Sequence, residues 1–128
     1  MTLAKLIAAL EAATGPSREL DAEIALAVGA VPPICTRRGV EAASARANWW
    51  SIDDSLCWSA PAYTKSLDAS ITTVPEGWRV TNLREATDGE RWYWIATVGL
   101  VGESEMRHSS GKPAAIALVT ASLRARLT

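Results

Sequence analysis

Tyr63-Thr64-Lys65-Ser66-Leu67-Asp68-Ala69-Ser70-Ile71-Thr72-Thr73-Val74-Pro75-Glu76-Gly77-Trp78 decides the architecture of this chain. Ser66 is a helix cap, and Asp68 sits in the first turn, where the helix dipole favours an anion. Leu67, Ile71 and Val74 recur at helical spacing and predict one apolar face. Pro75-Glu76-Gly77 ends the helix, because Pro cannot continue its ladder and Gly tolerates the turn that follows. Trp78 then opens a strand. A helix stopped this sharply and followed at once by a strand sets the order of everything around it.

Downstream, Trp78–Ala86 alternates, with Trp78, Val80, Asn82 and Arg84 on one face and Arg79, Thr81, Leu83 and Glu85 on the other. Thr87-Asp88-Gly89-Glu90 carries the Asp-Gly signal of a tight hairpin. The return strand, Arg91–Leu100, is apolar on both faces: Trp92, Trp94, Ala96 and Val98 on one, Tyr93, Ile95 and Thr97 on the other. Such a strand is usually covered on both sides, which predicts helices above and below one sheet. Gly102–Lys112 reads as a polar loop. Pro113 suits the first position of a last helix, Ala114–Leu127, with Ile116, Val119, Leu123 and Leu127 on one face. Ala115, Ala117 and Leu118 widen its apolar arc.

Upstream, Thr2–Ala13 is amphipathic through Leu3, Leu6, Ile7 and Leu10, with Thr2 as its cap and Gly15-Pro16 as its stop. Ser17 caps a second helix to about Val28, with Glu19, Asp21 and Glu23 at its positive end and Leu20, Ile24, Ala27 and Val28 as its stripe. Residues 30–62 read least clearly. Glu41–Ala47 forms at most one weak helical turn, and Asn48–Trp58 predicts an edge strand with Asp53-Asp54 as a turn. A loop of this length without any element would be uncommon.

At 128 residues the chain fits one domain, 1–128, large enough for a real core. The class these elements imply is α+β: a small antiparallel β-sheet with helices packed on both faces, an α-β-α sandwich. A net charge of −1 argues against any general affinity for nucleic acid or an anionic membrane. No run approaches the apolar length of a membrane span. Met1–Ala13 has a broken apolar pattern, unlike a secretory signal, so the expectation is a cytoplasmic protein with Cys35 and Cys57 reduced.

The motifs Gly15-Pro16-Ser17-Arg18-Glu19-Leu20-Asp21-Ala22, Tyr63–Ala69, Val74–Trp78 and Ala114–Ala125, in this order, resemble the phage ABA sandwich domain family. The likeness covers nearly the whole chain except residues 30–60. It implies an α-β-α sandwich encoded by a phage or prophage, in a family with no assigned biochemical activity. It therefore brings no catalytic residues with it.

The residues themselves offer few constellations for chemistry. His108 is the sole histidine, beside Ser109 and Ser110, and reads as loop and cap chemistry rather than a nucleophile's base. Cys35, Cys57, His108 and Asp53-Asp54 match no zinc or calcium spacing. Glu19, Asp21 and Glu23 would repel phosphate from the helix that Ser17 caps. The expectation is a protein that is not an enzyme and needs no cofactor.

Six Trp and two Tyr with no Phe leave some aromatics for the core or for a contact surface. The candidate interaction residues are Arg37, Arg38, Trp49, Trp50 and Trp58. They imply an unknown protein partner or a homo-oligomer and no membrane. A weak nucleic-acid-binding module is the alternative, since Arg37, Arg38 and Arg46 flank Trp49-Trp50.

Overall fold

One helix, rich in alanine, touches most of the other elements. In the computed structural model, which describes residues 1–31, 36–37, 49–51 and 57–127, the elements run in order. They are α1 (Leu3–Ala12), α2 (Arg18–Ala27), β1 (Thr36–Arg37), β2 (Trp49–Ser51), β3 (Cys57–Ser59), α3 (Leu67–Ile71), β4 (Trp78–Thr87), β5 (Trp92–Leu100), β6 (Met106–Gly111) and α4 (Ala114–Arg126). The fold is α+β, with two antiparallel three-stranded sheets of order β1-β2-β3 and β4-β5-β6.

The helix starts form as their caps dictate. Thr2 accepts from the Lys5 N–H, Ser17 from the Leu20 N–H and Ser66 from the Ala69 N–H. Ser66→Ala is expected to cost about 1 kcal/mol, checked by urea unfolding. Gly77, at φ +86°, makes the left-handed turn between α3 and β4 that an L side chain resists. The Asp88 carboxylate accepts from the Glu90 and Arg91 N–H groups, which closes the predicted hairpin.

Helix α4 lies between two apolar clusters. On one side Ala117, Leu118, Ala121 and Ala125 pack on Ala96 and Val98, with Val80, Leu83, Trp78 and Trp94 around them. On the other, Ile116, Val119 and Leu123 pack on Leu6, Ile7, Leu10, Ile24 and Tyr63. Two buried hydroxyls in α4 carry no penalty: Thr120 and Ser122 donate to the carbonyls of Ile116 and Leu118. The other face of the sheet, with Tyr93, Ile95 and Thr97, joins neither cluster among the described residues. Its Asn82, Arg84 and His108 are exposed.

Several predicted details change. Gly102–Lys112 is not wholly a loop, because Met106–Gly111 pairs with β5 along its length. A bulge between Val80 and Asn82 inserts Thr81 and carries Leu83 to the α4 face, against simple alternation. Of the apolar face predicted for α3, Val74 packs on the core just past the helix end, but Leu67 and Ile71 are 37% and 48% exposed, while Ser70 and Thr73 are buried. Leu127 lies beyond the end of α4 and is exposed. In α2 the buried side is Asp21, Ala22, Ile24 and Ala25, so the stripe is rotated from the predicted one.

Candidate functional site

Four of the predicted interaction residues, Arg37, Trp49, Trp50 and Trp58, lie on the β1-β2-β3 sheet. Antiparallel register sets Arg37 opposite Trp50, and Trp50 opposite Trp58. These three positions form one row across three strands. The next rows are Thr36, Ser51 and Cys57 on one side, and Trp49 with Ser59 on the other. Arg38 lies outside the described residues, as do Glu41–Ala47, Asp53-Asp54 and Cys35. The edge strand expected within Asn48–Trp58 is present as two strands, of which β2 is central in its sheet and β3 lies at the edge.

One arginine ties this sheet to the helices. Arg18, in the first turn of α2, donates from Nη2 to Ser59 Oγ (3.1 Å) and to the Ala60 carbonyl (2.7 Å). Ser59 is the register partner of Trp49. The Arg37–Trp50–Trp58 row is the next one along the strands.

Arg18 is also part of a polar network that sequence reasoning read only as helix capping. Its Nη1 donates to Asp21 Oδ2 at 2.8 Å. Asp21 Oδ1 accepts from the backbone N–H and the hydroxyl of Thr64, each at 2.8 Å. The Ser17 N–H donates to Thr64 Oγ1 at 2.8 Å. Asp21 and Thr64 are both buried. Two motifs 43 residues apart, Ser17–Ala22 and Tyr63–Ala69, are thus two halves of one hydrogen-bonded unit. Desolvation pushes the Asp21 carboxyl above its ordinary range, opposed by the bonds from Thr64 and the charge of Arg18. Burial, and then the charge of Asp21, raises the Tyr63 phenol. The signal available in the sequence was an acidic residue one turn into α2, which fits a dipole partner equally well.

His108 belongs to β6, with Nδ1 2.9 Å from Thr97 Oγ1 across the strand pair. It lines a cavity of about 520 Å³ together with Ser109, Ser110, Tyr93, Ile95, Glu11 and Arg124. Arg124 reaches Glu11 from α4 to α1 and forms the far wall. A second cavity, of about 610 Å³, shares Glu11, Tyr93 and Ser110 and extends past Arg91, Trp92 and Lys112. Among the described residues, no group of three His, Cys, Asp or Glu side chains is placed to hold a metal. No helix there is long and apolar enough to cross a membrane. No protein-family model matches the chain, and no curated protein or solved structure is similar to it.

Proposed function

We propose that this chain is a non-catalytic interaction module, acting by protein–protein contact or self-association. A phage or prophage origin goes with that reading, on the resemblance of the Gly15–Ala22, Tyr63–Ala69, Val74–Trp78 and Ala114–Ala125 motifs to phage ABA sandwich domains. The observation that carries it is the register row Arg37–Trp50–Trp58, which strand pairing brings together from three separate strands. Arg and Trp are the residues that most often anchor interfaces, and they act when clustered.

The Trp50→Ser, Trp58→Ser double variant tests it. Circular dichroism and thermal unfolding should stay close to the parent, while native mass spectrometry of the protein recovered from host lysate should lose its oligomer or its bound protein. A fall in midpoint of about 10 °C or more would make the row part of the core and sink the reading. Arg37 beside Trp50 also suits contact with a phosphate backbone and a stacked base. Labelled RNA and DNA anisotropy at low salt separates the two, because nucleic-acid binding would fall steeply as salt rises.

A further inference from the structure

Among the described residues, β6 is an edge strand with the geometry for self-pairing. Leu100 N–H donates to the Glu105 carbonyl at 3.0 Å, which sets the phase of the β5–β6 ladder. Glu105, Arg107, Ser109 and Gly111 therefore turn their backbone groups toward β5, and Met106, His108 and Ser110 turn theirs outward. The Met106 carbonyl accepts from Arg107 Nη1 (2.9 Å). This phase leaves the backbone N–H and C=O of His108 and Ser110 without a bond to β5, and both residues are exposed. The cavity lined by His108 and Ser110 opens alongside.

The two edges of this sheet are treated differently. β4 has a bulge at Thr81 and carries Arg79, Arg84 and Glu85, devices that keep other strands away. β6 keeps one continuous register from Met106 to Gly111, with no Pro and no bulge. Its sole cation, Arg107, is drawn back over the Trp78 ring (5.7 Å to the centroid) and onto Glu105.

We infer that β6 pairs with β6 of a second copy of this chain, antiparallel about a two-fold axis at Ser109. This names a surface for the self-association proposed above but does not use the Arg37–Trp50–Trp58 row. In this register His108 of each copy faces Ser110 of the other, so every outward N–H and C=O at those positions finds a partner. The Met106 carbonyl, already engaged, is left out of the ladder. The antiparallel sense also matches charge. The approach to β6 holds Glu103 and Glu105, its exit holds Lys112, and the two-fold brings the acidic end of one copy to the basic end of the other.

Sedimentation of the intact chain over a range of concentrations tests this, together with Ser110→Pro. That substitution removes an outward N–H and leaves the ladder to β5 intact. The wild type should dimerise, and Ser110→Pro should weaken the dimer about 10- to 100-fold with unchanged circular dichroism. If Ser110→Pro unfolds the chain, the exposed charges decide: Lys112→Glu should weaken the dimer, and Glu103→Lys added to it should restore it. A wild type that stays monomeric overturns the inference. So does a dimer insensitive to Ser110→Pro, or, where that variant unfolds, to the charge changes. A dimer lost only in the Trp50→Ser, Trp58→Ser variant would place association on the other sheet and leave the proposed function standing.

Discussion

Replacing Asp21 by Ala is expected to cost about 2–4 kcal/mol, seen as a lower urea midpoint with an unchanged slope. The cost comes from the donors left behind. Both Thr64 groups that Asp21 Oδ1 accepts from are buried, and water cannot replace the acceptor. Arg18 adds less, because its side chain is 39% exposed and stays solvated. Asp21→Asn distinguishes charge from hydrogen bonding. Its amide oxygen still serves Thr64, while its NH₂ meets the Arg18 donors. The pH dependence has a definite sign. Because burial raises the folded-state carboxyl above its ordinary value near 3.8, Asp21 favours folding most below that value. The contribution is lost as pH rises through the raised folded value. The stability difference between wild type and Asp21→Asn should therefore shrink over that interval and then level off. A difference that grows there would mean the bonds to Thr64 and Arg18 outweigh desolvation.

Gly111→Val is expected to destabilise by about 3 kcal/mol. A Cβ at Gly111 would stand 3.0 Å from Ile116 Cγ2, 3.1 Å from the Ala117 nitrogen and 3.4 Å from the Ala117 Cα. Ile116 can shift a rotamer, but the Ala117 backbone is held within α4. The helix must lift from β6, and the Ala117 and Ala121 contacts with Ala96 and Val98 open with it. Gly111→Ala should cost less than Gly111→Val, and its urea midpoint should fall between those of the parent and the valine variant. A valine variant as stable as the parent would show that α4 and β6 can separate freely.

The parts of the fold that were legible in the sequence are those decided by neighbours in the chain. Ser17, Ser66, the Pro75-Glu76-Gly77 stop and the Asp88-Gly89 turn act within a few residues, so their chemistry reads directly. β6 was not legible, because Met106-Arg107-His108-Ser109-Ser110-Gly111 has no apolar alternation and owes its strand conformation to β5. The exposure of Leu67 and Ile71 in α3 has a similar cause. Ser70 and Thr73 donate to the carbonyls of Leu67 and Ser70, so they enter the interior already satisfied, and Leu67 and Ile71 are left outside. At the candidate site, the residue types Arg37, Trp50 and Trp58 were visible, but not their common row, which is a property of pairing between strands. The role of Asp21 was hidden for the same reason: its partner Thr64 is distant in sequence.

Helix α4 is made after every element it packs against. Until a ribosome has passed Leu123, both apolar clusters lack their shared wall, and Leu6, Leu10, Ala96 and Val98 stay open to water. At about 5–20 residues per second, α1 then waits several seconds for the helix that covers it. During that wait the nascent chain offers chaperones and proteases two open apolar surfaces, and a chain lacking α4 would keep both open.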